Sequence, residues 1–402
     1  MNHTFECIFC GSRAAPADKS SSCTDCGGPL EVALDADELP SSLPETDRRD
    51  LWRYADFLPT EGITPISIGE GWTPLTELPT VSENPTVLLK NETTNPTWSW
   101  KDRLAAVVVP HAVAAGAEKI ATSTSGNHGS AIAAYASRAG IEQVLTFVSP
   151  SSETPHHRQM RAYGAESLAL TDYGERKNLL RELADRGWFV GYNLQNRYTA
   201  QPYVYEGYKT IAFELVEQLD KVPDAIVAPV GAGDGFYGIW KGFRELRELG
   251  IVETTPKMVS AESAERHPLA KAHQSDAETV GRDDGPEPLS TSTMGTTSGT
   301  HALQAVRDSD GAAYAADRET VEQAIRDCGH DGIFLEPASA LAPAVVLQAI
   351  ADNQLDASDT VVCVGTGAGV AWPEKTVEAV GTAPTVEPTV EAVAEAVSLD
   401  LD

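Results

Sequence analysis

Positive charge is scarce in this chain. Its 402 residues carry 30 Lys and Arg against 59 Asp and Glu, a formal net charge of −29. The acids run along the whole length instead of gathering in one tail. Such a surface repels phosphodiester backbones and anionic bilayers, so neither nucleic acid nor a membrane is an expected partner. Lysine is scarcer than arginine, and dispersed carboxylate in this excess resembles the surfaces of halophile proteins, where salt screens the self-repulsion. Long apolar runs are missing as well: none reaches the roughly 18 to 20 residues that span a bilayer. The first 30 residues are polar and cysteine-bearing, unlike a basic and then apolar leader, which points to a cytoplasmic protein. No internal repeat is visible. What is plentiful, 42% hydrophobic residues and 32 glycines, suits a globular α/β protein, and the length calls for two or three domains.

Cysteine is rare too, six in all, yet Cys7 and Cys10 form one CxxC pair and Cys23 and Cys26 another. Each pair is followed by a turn glycine, Gly11 or Gly27, which lets backbone amides fold around a thiolate. Four thiolates in two such knuckles suit tetrahedral Zn2+. Two disulfides are disfavoured in a cytosolic chain, and a redox dithiol would not need two knuckles. A structural zinc ribbon is therefore expected, its metal closed off by four ligands and without a catalytic role. Cys328 and Cys363 lie far away and read as small core residues.

Residues 39–66, rich in Pro, Asp and Glu, read as an entry segment wrapping the body. Beyond them strand-like runs alternate with helices: 86–90 and a helix from about 102, 120–122 and a helix from about 129, 144–148 and 153–163, 225–229 and 236–249. This alternation predicts a parallel sheet with helices on both faces, which binds ligands where strands end and helices begin. Residues 263–300, with few apolar positions, read as a long excursion or mobile flap. From Pro384 onward Val and Ala alternate with Glu, as a short amphipathic helix or a solvated acidic tail.

Four sites at such strand and helix ends carry chemistry. Lys101 follows a Pro-bearing turn and is flanked by Trp98 and Trp100; partial desolvation there favours the neutral, nucleophilic amine that imine formation requires. A purely structural lysine is poorly placed at the positive end of a helix dipole. Ser123, Thr124 and Ser125, with Gly126, Asn127, His128 and Gly129 after them, offer hydroxyls and free amides at a helix start, a cup for a carboxylate. Gly231, Ala232, Gly233, Asp234 and Gly235 follow an apolar strand and let the backbone close on a phosphate, although the Asp234 carboxylate must point away or be paired. Thr366, between Gly365 and Gly367 after the strand 360–364, presents a hydroxyl that could meet a ring nitrogen. A neutral partner there fits elimination and replacement better than transamination.

In order and spacing these motifs are similar to those of threonine synthases and the wider pyridoxal-phosphate enzymes that share the tryptophan synthase β-subunit fold. The resemblance covers the chain from about residue 70. It rests on Asn95-Pro96-Thr97, Ser99, Lys101-Asp102-Arg103, Ser125-Gly126-Asn127, Glu206-Gly207-Tyr208-Lys209-Thr210, residues 231–235, Glu336-Pro337-Ala338-Ser339-Ala340 and Gly365-Thr366-Gly367. A zinc-ribbon-like amino terminus also occurs in some archaeal threonine synthase relatives. The resemblance implies two doubly wound αβα domains with pyridoxal phosphate between them. These are a large cofactor-binding domain (39–104 and 206–383) and a smaller inserted one (105–205), flanked by the ribbon (1–38) and the acidic tail (384–402). It implies that Lys101 holds the cofactor as an imine and then moves protons, and that Asn127 bonds the phenolic oxygen. The amides of Gly231, Ala232, Gly233, Asp234 and Gly235 would hold the phosphate, Thr366 the pyridine nitrogen, and Ser123, Thr124 and Ser125 the carboxylate of a small amino-acid substrate, with His128 beside it. A homodimer is a family expectation.

The activity implied is a lyase reaction in which O-phosphohomoserine and water give threonine and phosphate. Three positions depart from that pattern. Trp98 and Trp100 stand where glycine and phenylalanine are usual, and His128 replaces a hydroxyl residue, an order more typical of serine and threonine dehydratases. Val204 stands where an arginine for the substrate phosphate is expected, with Arg197 nearby in sequence. A dehydratase, ammonia-lyase or β-replacement activity on another small amino acid is the alternative.

Overall fold

The computed structural model describes residues 3–16, 22–150, 155–192, 194 and 201–397. At the amino terminus β1 (His3–Cys7), β2 (Arg13–Ala14) and β3 (Leu30–Leu34) form an antiparallel sheet with β1 in the middle. Then come β4 (Leu75–Glu77), β5 (Thr86–Asn91) and α1 (Lys101–Ala114). The chain next alternates through β6 (Lys119–Ser123), α2 (Asn127–Arg138), β7 (Gln143–Val148), α3 (Pro155–Ala162), β8 (Glu166–Ala169), α4 (Arg176–Asp185) and β9 (Phe189–Val190). These strands make a parallel sheet in the order β8-β7-β6-β9.

The long α5 (Gln201–Leu219) leads back to β10 (Ala225–Pro229), α6 (Asp234–Glu248) and β11 (Lys257–Ser263). After α7 (Pro268–Gln274), α8 (Thr300–Asp308), β12 (Ala312–Ala316), α9 (Arg318–His330), α10 (Pro337–Ala344) and α11 (Val346–Ala351) comes β13 (Thr360–Gly365). The chain then runs through α12 (Pro373–Val380) and α13 (Val390–Val397). The second sheet has the order β12-β11-β10-β13-β5-β4 and is parallel except for β4. Its strands are apolar on both faces, as a doubly covered parallel sheet requires. In β13, Val361 and Cys363 enter one core while Val362 and Val364 enter the other. Cys328 packs in the same core as Cys363, both fully buried, as their sequence contexts predict.

The two sheets are joined by α1 and α5, and the divisions expected at 104/105 and 205/206 fall inside these helices. They cross at Gly207, where an added Cβ would lie 2.2 Å from the Arg103 carbonyl oxygen. Beneath the crossing, buried Arg103 pairs with Glu92 at 2.6 Å and Glu214 at 2.6 Å, and Lys90 reaches Glu214 at 2.7 Å. The ribbon packs on the same helices. Phe5, Leu30 and Val32 join the main core, Arg244 and Tyr237 of α6 bond Glu31 at 2.6 and 3.0 Å, and Lys241 bonds the Val32 carbonyl at 2.8 Å.

Two readings left open by the sequence are narrowed. Residues 263–300 are an excursion, but one that contains α7 and is pinned: Arg266 donates to the carbonyls of Gly285 and Met294, and the Ser263 and Ser290 hydroxyls meet at 2.7 Å. The segment after Pro384 contains the short helix α13, with Val390, Val393 and Val397 exposed; residues 398–402 lie outside the described residues.

Candidate active site

The candidate residues meet at the carboxyl ends of β5, β6, β10 and β13. Lys101 opens α1, its amide donating to Ser99 Oγ at 3.3 Å, and is held in place by strapping of its loop to the loop after β13. The Trp100 amide donates to the Thr366 carbonyl at 2.9 Å, and the Ala368 amide to the Trp98 carbonyl at 3.0 Å. Lys101 Nζ lies 2.9 Å from the Tyr208 hydroxyl, 5.3 Å from the Trp100 ring centre and 5.4 Å from that of Tyr208. Burial pushes the amine below the usual lysine range, against Asp234 and Glu336, which act to raise it. The expected flanking by two indoles is therefore corrected. Trp98 has φ +70° and is 38% exposed; this left-handed backbone turns its ring outward, and Tyr208 supplies the second aromatic face. Glycine adopts such a φ at no cost, which gives the usual residue at this position its physical reason.

Around β6 and α2 the residues divide by task. The Thr124 hydroxyl accepts from the amides of Gly126 and Gly129 at 2.9 and 3.0 Å, shaping the start of α2. Ser123 donates to Tyr173 at 3.3 Å, and Ser125 is half-buried beside it. His128 bonds the Gly191 carbonyl, and burial with the nearby Lys101 lowers its pKa to about 4, so the imidazole is neutral. Asn127 aims Nδ2 at both carboxylate oxygens of Glu336, at 3.0 Å each, while its Oδ1 is buried without a partner.

Glu336 was not legible as a site residue. It stands before α10 with its amide bonded to the Gly367 carbonyl at 3.1 Å, and burial raises its pKa to about 7, against the opposing bonds from Asn127 and the charge of Lys101. A Cβ on Gly367 would sit 2.7 Å from Glu336 Oε1 and 3.1 Å from Asn127 Nδ2. On the same loop the Thr366 hydroxyl meets Ser339 Oγ at 3.0 Å.

The loop 231–235 ends β10 and opens α6, whose first amides have no capping side chain. Gly233 has φ +93°, and a Cβ on Gly235 would lie 2.3 Å from the Trp100 ring, so both positions need glycine. Ala232 accepts from the Gly299 amide at 2.9 Å, and a Cβ on Gly231 would approach the Ser292 carbonyl at 3.3 Å. Asp234 faces a basic neighbour rather than a hydrogen-bond partner: His301 Nε2 lies 3.4 Å from its Oδ1. Burial raises the Asp234 pKa, but His301 and then Lys101 outweigh it and hold the group below the usual range. Val204 is buried on α5, and Arg197 lies outside the described residues.

The four amino-terminal sulfurs come together within 4.8 Å of one another, Cys7 to Cys26 at 3.4 Å and Cys10 to Cys23 at 3.6 Å. Tetrahedral zinc with bonds of about 2.3 Å needs sulfurs about 3.8 Å apart, so the donors fit that ion. Gly11 and Gly27 take φ +71° and +74° in the two knuckles.

An amine that burial makes easier to deprotonate can attack an aldehyde, and an uncapped glycine-lined helix start nearby can accept a phosphate. That combination marks the α/β enzymes that carry an aldehyde cofactor on a lysine. The family described as pyridoxal-phosphate dependent enzyme matches residues 66–367, and the chain belongs to it. It is 33% identical over 391 residues to threonine synthase of Methanosarcina acetivorans, covering 95% of each chain. To threonine synthase of Methanocaldococcus jannaschii it is 31% identical, covering 93% of this chain and 94% of the relative. Among solved structures, the L-serine ammonia-lyase of Rhizomucor miehei superposes with a TM-score of 0.65 at 20% identity, over 76% of this chain and 96% of that one. Diaminopropionate ammonia lyase of Escherichia coli gives 0.66 at 15%, over 78% and 88%. These structural likenesses concern the fold.

Proposed function

We propose that the protein is a pyridoxal-phosphate-dependent lyase of threonine synthase type, converting O-phosphohomoserine and water to threonine and phosphate. The observation that carries the reading is the buried Lys101 amine beside the open glycine loop of α6, on a chain that matches threonine synthases over nearly its whole length. When bound, the cofactor supplies an electron sink that makes protons at the substrate α- and β-carbons removable.

The chain's residues do the rest. The amides of Gly231, Ala232, Gly233, Asp234 and Gly235 hold the cofactor phosphate, with His301 drawing the Asp234 carboxylate aside. Asn127 Nδ2, oriented by Glu336, would meet the ring oxygen, and Thr366, oriented by Ser339, the ring nitrogen. Ser123, Ser125 and the amides at the start of α2 bind the substrate carboxylate. Lys101 would hold the cofactor through its amine, and its Nζ, when free, would take and return protons as general base and acid. The zinc ion contributes stability to the ribbon and takes no part in the chemistry.

A second reading, β-elimination by a dehydratase or ammonia-lyase, is favoured by one observation: buried Val204 offers no charge to a substrate phosphate, and such a dianion needs charge-assisted hydrogen bonds. Incubation with O-phosphohomoserine, threonine and serine separates the two. Phosphate release with threonine formation selects the first; keto acid and ammonia from threonine or serine select the second. Borohydride reduction and peptide mapping check the shared premise, which fails if the cofactor is fixed on any lysine other than Lys101.

A further inference from the structure

Among the described residues, the Tyr208 hydroxyl is the side-chain group within hydrogen-bond distance of Lys101 Nζ, at 2.9 Å. Its position is set from three sides. The ring packs at 4.7 Å from that of Trp100, on the residue preceding the lysine. Its Cβ lies 2.6 Å from where a side chain on Gly238 of α6 would begin, so only glycine there lets α6 approach. The residue is fully buried within α5, the helix fixed against α1 at Gly207. The phenol therefore has little room to move, whereas a lysine side chain has four rotatable bonds and loses rotamer freedom when ordered.

We propose that Tyr208 is a positioning residue for the Lys101 amine, holding Nζ at a fixed place for proton transfer at the substrate α-carbon. The inference rests on the lyase reading above and adds a residue to it. In the step, the C–H electron pair stays with the carbon, the proton bonds to the Nζ lone pair, and the resulting ammonium donates to the Tyr208 oxygen. The phenol itself stays protonated: burial and the nearby Asp234, Glu92 and Asp102 carboxylates push its pKa well above the usual tyrosine value. The other titratable groups that act on the amine are Asp234 on α6, Glu336 before α10 and His128 on α2.

Tyr208→Phe keeps the ring packing and removes the hydroxyl. With the cofactor in place, the rate of α-proton exchange of L-2-aminobutyrate in deuterium oxide, an amino acid without a leaving group, is expected to fall about a hundredfold, the scale of a small misplacement of a reacting group. Cofactor content, read after borohydride reduction, is expected to stay at the wild-type level. In the full chain stripped of cofactor, trace acetylation of Lys101 followed by mass spectrometry gives the amine's titration midpoint. Loss of an acceptor that favours the ammonium moves this midpoint to lower pH. An exchange rate or a midpoint equal to that of the wild type overturns the proposal. Wild-type protein that fixes no cofactor on Lys101 sinks the lyase reading instead, so the two failures are distinguishable.

Discussion

Glu336 is a carboxyl balanced between its two forms near neutrality, and its ionised form is the one that best accepts from Asn127. Cofactor affinity of the wild type, followed by absorbance titration, is thus expected to vary with pH through about 7, while Glu336→Gln removes that dependence. Lys101→Ala abolishes the borohydride-fixed cofactor and lowers turnover by about a thousandfold or more. Asp102 makes the third prediction at this scale. It is fully buried, accepts from the Thr97 amide and hydroxyl at 2.9 Å each, and leaves its other oxygen unpartnered. Burial raises its pKa from 3.8 to about 8, against those two bonds. A raised carboxyl stabilises the fold fully below its unfolded pKa and loses that contribution as pH climbs to the folded value. The buried histidines His111, His128 and His156, each lowered to about 4, act in the opposite direction but only below 6.5. Melting temperature should therefore fall between pH 6.5 and about 8, and Asp102→Asn should flatten that slope. Lys101, Asn127 and Thr366 were readable because each lies in a compact motif. Glu336 and Tyr208 also lie in motifs, but neither motif shows what its residue does: each acts through a contact with a site residue 209 or 107 positions away, which only the fold brings together. Trp98 misled because its neighbour number suggested contact while its backbone sign forbade it.

Among the elements, strands were legible and helix starts less so. The strand at Ala225–Pro229 falls where its apolar run predicts, whereas α1, α2 and α6 begin one or two residues earlier than their sequences suggest. The usual signal for a start is a capping side chain, and at these three positions the residue before the helix makes no such bond. The hydroxyls that do reach first-turn amides, Ser99 at α1 and Thr124 at α2, stand one or two residues ahead of the usual capping position, so the sequence cue was displaced. The excursion at 263–300 was read as loose because its stabilising contacts are polar and distant. Two variants test how the elements join. Gly207→Ala, forcing a Cβ onto the Arg103 carbonyl at 2.2 Å, should cost stability on the scale of an overpacked core, about 1 to 3 kcal/mol, measured by denaturant titration. Cys23→Ser should lower the melting temperature and abolish protection by added zinc while sparing turnover of the protein that stays folded; turnover lost with folding intact would assign the metal a different role.

At the scale of the whole molecule, charge and topology act separately. The net charge of −29 repels itself over the surface, and raising salt from 0.1 to 1 M shortens the screening length from about 10 to about 3 Å. Melting temperature is expected to rise across that range; a flat response would mean that the local pairs already neutralise the acids. Topology has a consequence for how the chain is made. The strand Thr360–Gly365 lies between β10 and β5 near the middle of its sheet, not at an edge. While the protein leaves the ribosome, a gap must therefore stand open between two planks already synthesised, until this later segment emerges and slots in. A nascent chain halted before that point has its first and later halves unsealed along the very seam where the glycine turn and the lysine loop should face each other.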